Sequence, residues 1–188
     1  MELTIRQITP QDRACFPDGI ELLNRTQGRD LFASHYLDER TNDPLSYVVG
    51  AFHGELLMGL GVAQILHQFE YYLPFDSNIV SELEDKIVGS FSTLCMHESL
   101  QGKGIGQKIS ADRMNWLKSH HCEVVLGISW VSGLSHTSNR VFEKCGFKPV
   151  KQLNDFFYNP SLKNPFECPA CGNPPCTCPA ILYRLDIK

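Results

Sequence analysis

The 188-residue chain contains no run of about 18 apolar residues, so the sequence offers no membrane-spanning helix. It also lacks an excess of positive charge. Its 17 Lys and Arg are outnumbered by 21 Asp and Glu, a formal net charge of −4, which argues against a general nucleic-acid binder. The opening Met1-Glu2-Leu3-Thr4-Ile5-Arg6 lacks the basic-then-apolar layout of a secretory leader. There is no internal repeat, no low-complexity tract and no long linker. These absences lead to the expectation of one soluble, cytoplasmic domain, without nucleic-acid or membrane partners, whose cysteines are reduced. Apolar residues make up 43% of the chain, enough for a real core at this length.

The remaining patterns are strand and helix signals. Leu3 to Ile8 reads as a first strand, and Thr9-Pro10 as a helix start that Pro17-Asp18-Gly19 interrupts. A second helix is expected over 29–39. Tyr47 to Phe52 and Leu56 to Leu66 form a hairpin about His53-Gly54-Glu55, with Gly59 and Gly61 marking a bulge or a close backbone approach. Ser90 to Met96 is a strand with Phe91, Thr93 and Cys95 on one side. A helix follows to about Ser119 with Ile105, Ile109 and Trp116 on one stripe, which Asp112 interrupts. Glu123 to Trp130 suits a strand buried on both faces, and Ser135 to Lys144 a helix stopped by Gly146. Phe147–Phe157 and Ile181–Ile187 are the last strands. The sum is an α/β fold, a mixed sheet with helices on both faces.

Between the strand and helix near residue 100 lies Gln101-Gly102-Lys103-Gly104-Ile105-Gly106. Glycines let the backbone turn, and the helix start then presents unsatisfied N–H groups and the positive end of its dipole, which suits an anion such as phosphate. Lys103 adds charge at the rim. The dinucleotide fingerprint fails because the third glycine comes one residue early, and the P-loop lysine pattern is absent. A helix-initiating turn that binds nothing stays open on this pattern alone.

Gln101, Gly104 and Gly106 match the Q/R-x-x-G-x-G/A acetyl-CoA loop, and Ser138 to Phe147 resembles a late helix with the ending x-Y-E-K-x-G-F. On these segments the chain resembles the GCN5-related N-acetyltransferases over residues 1 to 157. The resemblance implies a mostly antiparallel sheet with a V-shaped splay between strands four and five. It implies acetyl-CoA as cosubstrate, bound by main-chain groups of Leu94 and Met96, by Gln101, Gly102, Lys103, Gly104, Ile105 and Gly106, and near Ser138, Asn139 and Phe142. It implies direct attack of an amine, small-molecule or peptidyl, on the thioester, in a monomer or homodimer. Many relatives place a Tyr acid where Phe142 stands, and an Asn where Ser135 stands. Ser135, Thr137 and Ser138 are hydroxyl candidates for the missing acid, with the Cys145 thiol a weaker one, and His97 and Glu98 are candidates for the base, with a solvated loop as their bland reading. Phe142 also leaves room for a non-catalytic CoA-binding or zinc-dependent interaction module.

Four of the eight cysteines, Cys15, Cys95, Cys122 and Cys145, are scattered; Cys168, Cys171, Cys176 and Cys178 follow C-x2-C-x4-C-x-C. Cys168-Pro169-Ala170-Cys171-Gly172 has the form of a zinc knuckle, and four thiolates close a tetrahedral structural site. Six prolines between 160 and 179 deny this stretch an amphipathic face, so a metal is the natural source of its order. A disulfide pair, a redox Cys-Pro-x-Cys, free thiols and an iron–sulfur cluster compete with zinc. The insertion, residues 158–180, falls in the last hairpin, where it forms a lip over the acceptor, a stabilising staple or a partner surface.

Overall fold

The computed structural model describes residues 3–133 and 138–187. Seven strands form one sheet in the order β1-β2-β3-β4-β5-β7-β6. They are β1 Thr4–Ile8, β2 Ser46–His53, β3 Leu56–Leu66, β4 Val88–Met96, β5 Val124–Trp130, β6 Lys148–Leu153 and β7 Ala180–Asp186. Among the described residues the only parallel neighbours are β4 and β5, which pair from Val88 to Phe91 against Val124 to Gly127. Beyond Phe91 they part. That is the splay the resemblance implied.

The helices are α1 Phe16–Gln27, α2 Tyr36–Asn42, α3 Ile79–Leu83, α4 Ile105–Ser119, α5 Asn139–Lys144 and α6 Tyr158–Lys163. One face of the sheet carries α1 and α2 on a core of Leu22, Leu23, Leu37, Leu60, Val62 and Cys95. The other carries α4 and α5 on Ala63, Phe91, Leu117, Val125 and Phe142. Each fully buried leucine contributes about 1.5–3 kcal/mol of burial free energy.

Several expectations need correction. The first helical segment breaks before Phe16, not at Pro17: a 3-10 turn over Pro10–Cys15 precedes α1, and Pro17 sits in the first turn of α1, where it needs no partner for its nitrogen. Asp12 accepts from Thr9 N (2.8 Å) and Thr9 Oγ1 (2.9 Å), which fixes that entry. The second helix is α2, so residues 29–35 are not helical; Gly28, with φ +153, ends α1. The strand expected over Phe147–Phe157 is only β6, Lys148–Leu153, and α6 lies in the last hairpin beyond it.

Phe91, Thr93 and Cys95 do not share a side. The register shifts between Val62 and Ala63, which pair with Thr93 and Phe91, so Ser92 is an extra residue in β4. Phe91 therefore packs on the α4 side and Cys95 on the α1 side. The stripe on α4 is also different. Its buried residues are Ile105, Ile109, Ser110, Arg113 and Leu117. Trp116 lies at the edge, stacked on Tyr47 at 5.4 Å, and Asp112 accepts from the Tyr47 hydroxyl at 2.5 Å.

Candidate active site

A cavity of about 1080 Å³ runs through the sheet where β4 and β5 part. One mouth opens on the α4–α5 face, between the glycine loop and Ser138, Arg140 and Val141. The other lies on the opposite face, beneath the α1–α2 segment, Tyr71 and Tyr72, and the cysteine loop.

At the first mouth the sequence dictates the geometry directly. Gly102 (φ +74) and Gly104 (φ +76) take the left-handed conformation that favours glycine, and this swings the chain from β4 into α4. The N–H groups of Gly104, Ile105 and Gly106 have no backbone partner among the described residues. They sit at the positive end of a 15-residue helix. A Cβ at Gly106 would stand 3.3 Å from Met96 Cε, so the loop lies close on β4. Along the split, His97 N–H donates to Met58 O (2.8 Å), so strand alternation turns the main-chain groups of Met96 and Leu94 away from β3, toward the open edge. Leu94, Met96, Gln101, Gly102, Gly104, Ile105, Gly106, Ser138 and Phe142 all line the cavity. Lys103 and Asn139 do not; Asn139 instead accepts a short hydrogen bond from buried Ser129.

The waist is held by a group that sequence reasoning missed. Arg113 is 1% exposed and faces no carboxylate among its described partners. It donates to Thr93 O (2.9 Å), Val62 O (3.2 Å) and Ser110 Oγ (2.9 Å), with its guanidinium 4.0 Å from the Phe91 ring centroid. Thr93 and Val62 are the pair beside the bulge, so Arg113 ties down the carbonyls where the sheet opens. Burial pushes its pKa down to about 9. On the other side Gln27 donates to Thr93 Oγ1 (2.5 Å) and Leu94 O (3.1 Å).

The proposed base and acid residues fare differently. His97 and Glu98 do not line the cavity. The chain turns into a 3-10 segment at Glu98, and His97 Nδ1 engages Ser99, Oγ at 2.8 Å and N at 3.2 Å. Ser135 and Thr137 lie outside the described residues. Phe142 is 6% exposed and stacked on Tyr183 at 4.9 Å; a Cβ on Gly127 would meet its ring at 2.3 Å, so Gly127 makes room for it. At the inner mouth the lining histidine and carboxylate are His35 and Glu39, 3.6 Å apart. Tyr36 lines it too, its hydroxyl pushed up to about 12 by burial, and Tyr71 and Tyr72 are raised for the same reason.

The four cysteines converge. Their sulfurs lie within 4.8 Å of one another, with Cys168–Cys178 at 3.7 Å and Cys171–Cys178 at 3.8 Å. A tetrahedron with Zn–S bonds of about 2.3 Å has edges of about 3.8 Å, so the set fits a four-thiolate metal site. The same distances are far too long for a disulfide bond of about 2.05 Å. Cys168 and Gly172 exchange two backbone hydrogen bonds of 2.8 Å around Gly172 (φ +80), the knuckle turn. Burial raises the thiol of Cys178 to about 11 despite a hydrogen bond from Trp130. Cys171 is held below its ordinary value because hydrogen bonds from Thr177 and the other sulfurs outweigh its burial.

The model of the acetyltransferase (GNAT) family matches residues 8–147. The chain belongs to this family. Among solved structures, Arabidopsis thaliana NAA60 in complex with acetyl-CoA superposes with a TM-score of 0.72 at 16% identity, covering 99% of each chain. A chain of the NatC complex bound to Gag peptide and CoA gives 0.71 at 13% identity over the whole of both chains. The Escherichia coli ribosomal-protein-S18-alanine N-acetyltransferase gives 0.66 at 10% identity, covering all of this chain and 95% of the other. At such identities the likeness is one of fold. No curated protein matches the chain by sequence. No described helix of this GNAT chain is long and apolar enough to cross a membrane.

Proposed function

We propose that the protein transfers the acetyl group of acetyl-CoA to a primary amine, small-molecule or peptidyl. The observation that carries this reading is the cavity through the sheet, which joins an anion-ready helix start to a separate mouth on the opposite face. The pyrophosphate rests on the N–H groups of Gly104, Ile105 and Gly106, with Lys103 at the rim, and the pantetheine arm lies along Leu94 and Met96. The amine comes from the inner mouth. Its nitrogen forms a bond to the thioester carbonyl carbon while the carbon–sulfur bond breaks. The nitrogen loses one proton and the departing sulfur gains one, so the balance is amide plus free thiol.

Holding the two reactants at the split supplies most of the rate. His35, with Glu39 3.6 Å away, accepts the nitrogen's one proton, in place of His97 and Glu98. Phe142 has no proton to give, so water, Ser138 or Ser135 supplies the sulfur. NAA60, the NatC chain and the S18-alanine enzyme support the acetyl-transfer reading, and the last two names point to peptidyl acceptors. Cys168, Cys171, Cys176 and Cys178 would hold a structural Zn²⁺, which would supply rigidity to the loop.

A single substitution tests the cosubstrate. Gly104→Val places a β-branched residue at φ +76, a strain of about 2 kcal/mol or a loss of about 30-fold in CoA affinity by calorimetry. Unchanged affinity would remove the loop from the site. Phe142 alone favours the alternative, a CoA-binding module without catalysis; acetyl-CoA consumption with an amine separates the two.

A further inference from the structure

The insertion carrying the cysteines does not end at its own metal site. Arg29 and Glu167 form an isolated antiparallel bridge, each N–H donating to the other's carbonyl at 2.9 Å, and their side chains form an ion pair. Beneath it, Gly28 packs so tightly that a Cβ there would stand 2.7 Å from Phe166 Cδ2. Glu167 immediately precedes Cys168. Arg29 opens the irregular segment before α2, and that segment and α2 place Leu31, Phe32, His35, Tyr36 and Glu39 on the cavity wall. Phe157, Phe166 and Trp130 pack against the cysteines and also line the cavity. Two chain segments on either side of the inner mouth are therefore stitched together over it.

A second groove of about 480 Å³ adjoins the cavity, sharing Tyr71 and Pro160 with it. Its wall includes Pro74, Leu153 and Phe156; Phe156 sits edge-on to Tyr71 at 5.5 Å. With the Arg29–Glu167 side closed, this is the continuation of the inner mouth that an acceptor's body can follow.

Resting on the acetyl-transfer reading, we infer that the Arg29–Glu167 bridge is a latch through which the cysteine site roofs the acceptor mouth, so that the enzyme takes an amine on an apolar body that leaves past Tyr71 and Pro160 into the side groove. The body is apolar because Tyr71, Pro74, Leu153, Phe156 and Pro160 make up most of the groove wall, with Glu70, Asn154 and Asn159 as its polar members. The amine end meets the His35–Glu39 pair.

Hydrogen exchange and CoA titration of the full-length, metal-loaded protein test the latch before any turnover is measured. Removing metal with a zinc chelator is expected to speed amide exchange across residues 28–36 at least about tenfold, while residues 101–107 and CoA affinity stay unchanged. Gly28→Ala and, as a second variant should that one fail to fold, Glu167→Pro, which deletes one N–H of the bridge, are expected to open the same segment with the metal retained. If residues 28–36 exchange at the same rate with and without metal, or the protein holds no metal, the latch is overturned. For the acceptor class, thiol release with 2-phenylethylamine is expected to exceed that with ethanolamine about tenfold or more in kcat/KM, as one buried apolar group allows. The latch variants should narrow that ratio at unchanged KM for acetyl-CoA. Equal rates, or no release with either amine by a protein that acetylates another primary amine, overturn the acceptor assignment. Failure to bind CoA, or no release with any amine, is instead the failure of the acetyl-transfer reading.

Discussion

The two mouths of the cavity are built by opposite means. The outer mouth is made of regular backbone: a strand end, two left-handed glycines and the start of a long helix. Its chemistry lies in N–H groups that any residue in that conformation would present. The inner mouth is made of irregular segments, a proline-rich loop and an α1–α2 connection, which have no ladder of their own and are ordered by four sulfurs, an isolated bridge and aromatic contacts. In the proposed reading, cosubstrate recognition thus rests on the fold, and acceptor recognition on a grafted element.

With zinc on the four sulfurs as proposed, its removal strikes only the second mouth and carries the largest expected effect. Structural zinc contributes about 10 kcal/mol or more to the order of small thiolate sites. Cys176→Ser should therefore make residues 157–178 open to protease at low enzyme ratios, while circular dichroism of the sheet and CoA binding persist. Global unfolding instead would erase the distinction between the mouths.

Arg113 is the joint between them. Arg113→Met leaves the Thr93 and Val62 carbonyls unpaired in the interior, with an expected cost of about 2–4 kcal/mol in denaturant unfolding. It should weaken CoA binding and acceptor use together, since both mouths meet at the bulge. Gly127→Ala is expected to cost about 1–3 kcal/mol by pushing on the Phe142 ring from the outer side alone.

Phe142→Tyr restores the hydroxyl that many relatives carry. Because proximity at the split supplies the rate, kcat should change less than about tenfold; a larger gain would mean that the missing acid limits turnover.

The smallest effect lies far from both mouths. Asp12→Ala removes the box at Thr9 and should cost about 1 kcal/mol at neutral pH. Although burial opposes it, hydrogen bonding to Thr9 and Arg6 holds the Asp12 pKa below 3.8 in the folded chain. That stability is present above the unfolded value near 3.9 and lost as pH falls through the lowered folded value, so the gap between Asp12→Ala and the parent should close below pH 4.

The same contrast governs what the sequence revealed. The hairpin at His53–Glu55, the glycine loop and the four-cysteine spacing announce themselves because turn chemistry and metal chemistry are local. The fate of Phe91 was hidden because one unpaired residue, Ser92, flips everything before it to the other face. Arg113 was hidden because a charged residue at an apolar position breaks the helical stripe that would have marked its burial. His35 and Glu39 were hidden for a third reason: they reach the cavity wall through the packing of Leu37 and Tyr36 on the α1 face of the sheet, far in sequence from the glycine loop. Such long-range packing has no periodic signature.

The most direct test of acetyl transfer is free-thiol release from acetyl-CoA by the metal-loaded protein, with and without a panel of primary amines, the acetylated product confirmed by mass. The expected result is release that depends on amine, saturates with acetyl-CoA and falls in Gly104→Val in step with CoA affinity. CoA binding without release across the whole panel would contradict it and make the protein a binding module on an acetyltransferase fold.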